Sequence, residues 1–131
     1  ELLYAEGEIC LLALGSMVKT AEEVKAMLNE AGFKCSIINA RFVKPIDERA
    51  VKWAAENHKL VVSMEENVAS GGYGEKVREL MDNLGTGAKL LQIAIPDEYV
   101  EHGNVDQLKH EIGIDTETIT DRIKIEMGNN A

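Results

Sequence analysis

Long apolar runs, aromatic residues, proline, cysteine and positive charge are all scarce in this chain of 131 residues. No apolar run approaches the ~20 residues that a membrane-spanning helix needs, and no basic, apolar leader precedes the first strand pattern. We therefore expect a cytoplasmic protein with no membrane partner. Lys and Arg number 14 against 23 Asp and Glu, for a formal net charge of −9. Because phosphate backbones are bound by clustered basic residues, nucleic acid is not an expected partner.

Cysteine and histidine are too few and too widely spaced for a metal site. Cys10 and Cys35 lie in apolar, strand-like runs, where buried free thiols are the usual state. They could occupy neighbouring strands, but without a secretory leader a disulfide is not expected. His58, His102 and His110 show no HxxxH spacing and no CxxC partner, so we expect no zinc site. His58 follows a predicted helix, where the helix dipole favours a cation.

What the chain does contain is four short apolar runs that predict the strands of a buried sheet. They are Glu8–Leu14, Lys34–Ala40, Leu60–Met64 and Leu90–Ile95, the last closed by Pro96. Their alternation with amphipathic helices, in the order β-α-β-α-β-α-β-α-α, indicates a mostly parallel sheet covered on both faces. The length suits a single domain of residues 1–131, with residues 1–7 and 126–131 as tails. Because the chain begins at Glu1 rather than Met, we expect a fragment or a processed form.

Capping residues and apolar periodicity mark the helices between these strands. Thr20 is an expected N-cap, with Glu23 completing a capping box, and Gly32 ends that helix. Asp47 is the expected N-cap of a helix over Glu48–Asn57. Three further helix faces are predicted from apolar spacing. The first carries Val77, Leu80, Met81 and Leu84 and ends at Gly85 and Gly87. The second carries Val105, Leu108 and Ile112, and the third carries Ile119 and Ile123.

The glycines of the stretch SMEENVASGGYGEKV lie between a predicted strand and a predicted helix. Ligands of parallel sheets bind outside the carboxyl ends of strands, and backbone N–H groups at a helix N-terminus attract anions. However, the GGxG spacing of Gly71, Gly72 and Gly74 matches neither GxGxxG nor GxxxxGK[ST], and Glu65 and Glu66 would repel a phosphate. We interpret the stretch as a tight strand-to-helix turn whose glycines permit positive φ or close packing, with a cofactor loop as the alternative.

Several charged residues are expected on the same edge of the sheet. Glu65 and Glu66 leave the strand on opposite sides, so we expect one to be buried and paired and the other to be solvated. Arg41, at the end of a strand, is expected either to pair with one of these carboxylates or to face a partner domain. His102 is interpreted as a surface histidine, with a ligand role as the alternative.

Three stretches resemble one known family: NARFVKPID at 39–47, MEENVASGGYG at 64–74 and IAIPDEYVEHGNVDQLKHEIGID at 93–115. They are similar to the C-terminal domain of the 1-deoxy-D-xylulose-5-phosphate synthases, a domain with the transketolase C-terminal fold. The likeness covers nearly all of Glu8 to Ile125. It implies a three-layer α/β/α fold with a mixed sheet of about five strands, one of them antiparallel. The fifth strand is then expected near Leu2–Ala5 or after Pro96.

The resemblance also implies a function for the parent enzyme. Such a synthase uses thiamine diphosphate and Mg²⁺ to join pyruvate to glyceraldehyde 3-phosphate with loss of CO₂, and feeds isoprenoid biosynthesis. In this family other domains hold the cofactor and the metal, so we expect no catalytic, cofactor-binding or metal-binding residue here. The expected partners are the other domains of the enzyme and a second subunit of a dimer. The candidate interface residues are Arg41, Glu65, Glu66, Asn67, Gly71, Gly72 and His102.

Two alternatives stay open at this point. One is a stand-alone α/β module that binds a small molecule at the same edge of the sheet. The other is the equivalent domain of a 2-oxo acid dehydrogenase beta subunit, against which the stretch from Pro96 to Gly103 argues. In the first interpretation, as a synthase domain, the isolated chain is expected to be inactive.

Overall fold

The computed structural model of the chain describes residues 2–15, 17–40, 47–68, 72–96 and 115–128. Within these ranges it contains five strands and four helices. In chain order they are β1 (Leu2–Tyr4), β2 (Ile9–Leu14), α1 (Met17–Glu30), β3 (Cys35–Ala40), α2 (Glu48–Asn57), β4 (Leu60–Val68), α3 (Tyr73–Leu84), β5 (Lys89–Pro96) and α4 (Thr116–Gly128). None of the helices so described has both the length and the apolar character to cross a membrane.

The strands form one mixed sheet in the order β1-β3-β2-β4-β5. β2 pairs in parallel with β3 and β4, and β4 pairs in parallel with β5. β1 is antiparallel to β3, with an irregular register. The predicted fold class is therefore confirmed, and Leu2–Tyr4 is the antiparallel fifth strand. The expected tails accordingly include residues of regular elements, since β1 lies within 1–7 and α4 continues to Gly128.

Strict alternation along β2 builds two separate cores. Ile9 and Leu11 belong to the cluster that α1 and α4 cover, whereas Cys10 and Leu12 belong to the cluster that α2 and α3 cover. All four side chains are fully buried. Because successive strand residues point to opposite faces, an unbroken apolar run is what a strand covered on both faces requires.

The first helix begins earlier than its capping signal predicts. Met17 is its first residue, so the prediction of Thr20 as N-cap is wrong. Met17 and Ala21 are fully buried on the face that also carries Val24 and Leu28, and Val18 N donates to Gly15 O at 3.3 Å. Burial of this extra turn outweighs the local preference of Thr20 for a cap.

The next two helices follow their signals. Asp47 caps α2, accepting hydrogen bonds from Arg49 N at 3.1 Å and Ala50 N at 3.2 Å. Gly85 ends α3 in the left-handed conformation, with φ of 64°, and donates to Met81 O. In α4, Ile119 and Ile123 are buried as expected. The helix expected around Val105, Leu108 and Ile112 lies outside the described residues, as does His110.

Two strands are longer than predicted. β4 runs past Met64 to Val68 because its end continues to pair with β5, joining Glu65 to Ala94 and Val68 to Pro96. Glu65 to Val68 are therefore strand residues and not part of a loop. Pro96 is the last residue of β5 rather than a residue beyond it, a position that the end of an edge strand tolerates.

The two cysteines are free and buried, as predicted. They lie in neighbouring strands, but Cys10 pairs with Ser36 and Cys35 pairs with Ile9, so the two thiols belong to opposite cores. A disulfide between them is sterically excluded. Burial raises the pKa of each thiol to about 12, so neither is a reactive thiolate at neutral pH.

Candidate functional site

The site singled out by the glycines is the junction between the end of β4 and the start of α3. Glu65, on the face of the sheet that α3 covers, is 4% exposed. Its Oε1 accepts a hydrogen bond from Gly74 N at 3.3 Å. Gly72 is the N-cap and offers no side chain to the free N–H groups of the first turn. The Glu65 carboxyl therefore occupies the place at the helix N-terminus where an anion would otherwise be held.

Gly74 is required by close packing of α3 on the sheet. A Cβ at this position would lie 2.9 Å from Ser63 Oγ and 3.2 Å from Gln92 Cγ. Gln92 reaches across from β5, and its Nε2 donates to Gly74 O at 2.9 Å. The interpretation of this stretch as a packed strand-to-helix turn is thus supported at Gly74, although not through positive φ.

The electrostatics of the junction disfavour a bound anion. Burial raises the pKa of the Glu65 carboxyl, an effect that the Gly74 and Tyr73 N–H groups oppose and the Glu75 carboxylate reinforces. Tyr73 is buried beside it, and the pKa of its hydroxyl is also raised, mainly by burial and further by Cys10, Glu65 and Asp47. A diphosphate placed here would meet acidic neighbours and a helix N-terminus that a side chain already fills.

The described residues of the β4–α3 junction do not fit thiamine diphosphate or its metal ion. On the side of Gly74 where a Cβ would project, Ser63 and Gln92 leave no room for a phosphate. Across the described ranges, no cluster of three or more His, Cys, Asp or Glu side chains is arranged to hold a metal ion. No chemical step through the cofactor can be assigned to these side chains.

Only part of the predicted site lies within the described residues. Glu65 is buried and hydrogen-bonded, as expected for one member of the acid pair. Glu66 and Asn67 lie in β4, but their side chains are outside the description, and Gly72 is the N-cap of α3. The predictions for Arg41, Gly71 and His102 fall outside the described residues, so the pairing of Arg41 with a carboxylate stays a prediction.

Sequence reasoning missed three residues that build this junction. Ser63, Tyr73 and Gln92 surround Gly74 and Glu65, and none of them was singled out. One signal was available for Ser63, because it is two positions before Glu65 and strand alternation places both on the same face. No sequence signal pointed to Gln92, because its place at the junction depends on the pairing of β5 with β4, which puts it beside Ser63.

Replacing Glu65 by glutamine should change how stability depends on pH. A carboxyl whose pKa is raised on folding holds its proton more tightly in the folded chain, so ionisation costs stability as pH rises above about 4.5. Glu65→Gln lacks this cost and keeps an acceptor for Gly74 N. We expect the free energy of unfolding of Glu65→Gln, relative to that of the original chain, to rise between pH 4.5 and 7.5. The rise should be about 1.4 kcal/mol for each tenfold difference between the acid dissociation constants of Glu65 in the folded and the unfolded chain.

Urea unfolding at several pH values measures this difference. Glu79→Gln is the matched control, because Glu79 is an exposed α3 residue with a long 3.9 Å ion pair to Lys76. Its pH profile should follow that of the original chain. A constant stability difference between Glu65→Gln and the original chain across the range would show that the carboxyl is not desolvated on folding.

The family comparison decides what this architecture is. The family model described as the transketolase C-terminal domain matches residues 1–119. This chain belongs to the transketolase C-terminal domain family. A solved structure titled "Split gene transketolase, inactive beta4 tetramer" superimposes with a TM-score of 0.79 at 24% identity, covering 95% of this chain and 41% of that one. At this level of identity the superposition shows the fold.

Curated relatives of this transketolase C-terminal domain are named 1-deoxy-D-xylulose-5-phosphate synthase. The one from Lachnoclostridium phytofermentans is 45% identical over 124 residues, which cover 94% of this chain and 20% of the relative. The one from Heliobacterium modesticaldum is 38% identical over 114 residues, covering 87% and 18%. The chain thus spans about a fifth of the length of these relatives.

A more distant neighbour shares only the fold of the domain. A 2-oxoglutarate:ferredoxin oxidoreductase from Magnetococcus marinus superimposes with a TM-score of 0.63 at 18% identity. The superposition covers 96% of this chain and 19% of the oxidoreductase chain. The fold therefore recurs in enzymes with different names, and the fold alone does not select a reaction.

Proposed function

We propose that this chain is the C-terminal domain of a thiamine-diphosphate-dependent 1-deoxy-D-xylulose-5-phosphate synthase, a cytoplasmic transferase, and that it serves assembly rather than catalysis. The observation that carries the proposal is the 45% identity to a relative of that name, over 94% of this chain. The reaction would join pyruvate to glyceraldehyde 3-phosphate with release of CO₂, on a cofactor and Mg²⁺ held by other domains.

The geometry of the β4–α3 junction supports the assembly role. The place where a parallel sheet commonly presents a helix N-terminus to a ligand is closed by a side chain of the protein itself, Glu65, and packed by Ser63 and Gln92. An edge that is filled in this way can contact protein, through Glu66, Asn67 and the other interface candidates, without holding a diphosphate. The partners would be the preceding domains and a second subunit of a dimer.

A domain exchange tests the proposal. The matching fifth of the Lachnoclostridium phytofermentans synthase would be replaced by residues 1–131, and formation of deoxyxylulose phosphate measured with both substrates, thiamine diphosphate and Mg²⁺. We expect the exchanged enzyme to be active and the isolated chain to give no product. The matched control is the synthase without its last domain, which should be inactive or unassembled.

Three outcomes would count against the proposal. Product formed by the isolated chain would place catalysis in this domain. An exchanged enzyme that assembles like the original but makes no product would show that the domain belongs to another parent, such as a 2-oxo acid dehydrogenase. A reproducible rise in melting temperature with one metabolite would instead favour the stand-alone binding module, because a ligand that binds only the folded state stabilises it.

A further inference from the structure

A buried hydrogen-bond relay lies at the amino edge of the sheet, opposite the edge that carries Glu65. His58 follows α2, and its Nδ1 is 2.8 Å from Ala54 O, while its Nε2 is 2.8 Å from Ser36 Oγ. Ser36 Oγ in turn accepts from Glu6 N at 2.8 Å and lies 3.0 Å from Glu6 O. One imidazole and one hydroxyl thus connect the end of α2, strand β3 and the segment that follows β1.

His58 is the C-cap of α2, so it lies at a helix end as the sequence predicts. The side chain is buried, with 9% exposure, and packs edge-on against the Trp53 ring with 5.0 Å between centroids. Burial lowers the pKa of His58, and only the hydrogen bond to Ala54 O acts in the other direction. Burial therefore favours the neutral imidazole over the cation that the end of a helix would attract.

The partners of the relay dictate where its protons lie. A carbonyl only accepts, so Nδ1 carries the proton that is donated to Ala54 O. In the neutral ring Nε2 then accepts from the Ser36 hydroxyl, which itself accepts from Glu6 N. Once Nε2 is protonated it becomes a donor, and the Ser36 hydroxyl has to turn towards Glu6 O. The hydrogen bonds can be remade, but the charge stays buried.

No described carboxylate is placed to compensate that charge. The Glu6 carboxylate is bonded to Lys25, which also donates to Cys35 O at 2.6 Å. Glu8 is 3.3 Å from Lys59 in an exposed pair. Lys59 and Lys89 line the same cavity of about 360 Å³ as His58, so the charges that share this opening with the imidazole are positive.

We propose that His58 and Ser36 form a proton-sensitive latch that holds the first strand on the sheet, and that acid opens it. β1 is a three-residue edge strand with an irregular register, so few ladder hydrogen bonds secure it. Its other attachments are the packing of Leu3 on the core, the Lys25–Glu6 ion pair and the relay at Glu6 N. When the segment Leu2–Glu6 lifts, His58 reaches water and takes up a proton that the closed state resists. Protons therefore stabilise the open state relative to the closed one.

Amide hydrogen exchange on the whole chain tests the latch. The protection factor, which removes the pH dependence of the exchange chemistry itself, would be followed by NMR at Glu6 from pH 7.5 to 5.5. Uptake of one proton on opening predicts a fall of between about threefold and tenfold, since the ordinary pKa of histidine is about 6.5. Val61 and Val62, buried in β4, are the internal reference and should change far less.

Two variants separate the latch from general acid sensitivity. His58→Gln has no titrating ring, so its Glu6 protection should be lower at pH 7.5 and flat with pH. Glu8→Gln removes an exposed carboxylate from the same edge and should keep the pH dependence of the original chain. An equal fall at Glu6 and in β4 would overturn the proposal. So would a flat profile in the original chain, or an undiminished fall in His58→Gln.

Discussion

Leu11→Ala is expected to lower the free energy of unfolding by about 2–5 kcal/mol. Leu11 is fully buried in β2, the central strand, where it pairs with Ile37 on β3 and Val62 on β4. Its neighbours belong to two strands and to the helices that cover this face, so they cannot close together around the missing atoms without disturbing the sheet. The cavity therefore adds to the lost transfer free energy of the side chain.

Urea unfolding of the two proteins measures the difference, provided that the slope with denaturant stays the same. Leu84→Ala is the matched control, because the same atoms are removed from a residue with 37% exposure at the end of α3. Its cost should stay below about 1 kcal/mol. Comparable losses in the two variants would contradict the central position of β2.

Elements whose local signals agreed with their burial were predictable from sequence. α2 has the predicted bounds because the Asp47 cap coincides with the start of its buried face, which carries Val51, Ala54 and Ala55. The inner strands were predictable because they are covered on both sides and therefore read as continuous apolar runs. Where capping and burial disagreed, as at Thr20 and Met17, burial decided the boundary.

Features that depend on pairing across the sheet could not be predicted in the same way. β4 extends to Val68 because it pairs with β5, whereas the polar sequence Glu65-Glu66-Asn67 does not itself predict a strand. The hydrogen bond between His58 and Ser36 likewise joins residues that are 22 positions apart in sequence, so no local pattern indicates it. The acid pair was anticipated as one buried and one solvated carboxyl, but only the structure identified Glu65 as the buried member.

Gly74→Ala is the second change with a large expected effect, a loss of about 1–3 kcal/mol in the free energy of unfolding. The added methyl group would lie 2.9 Å from Ser63 Oγ, so α3 or Ser63 has to move. The higher helix propensity of alanine offsets at most about 1 kcal/mol of this loss. Gly128→Ala is the matched control: it also lies in a helix, a Cβ there would meet no atom within 4 Å, and its cost should be near zero.

A second substitution shows whether this loss comes from the contact itself. Ser63 Oγ is buried and, among the residues described, has no hydrogen-bond partner, so Ser63→Ala alone should be neutral or stabilising. It also removes the atom nearest to the new methyl group. The double variant should therefore be more stable than the sum of the single effects by about 1 kcal/mol or more. Additive effects would mean that Gly74 is required by something other than close packing against β4, and the account of the junction as a packed turn would fail with it.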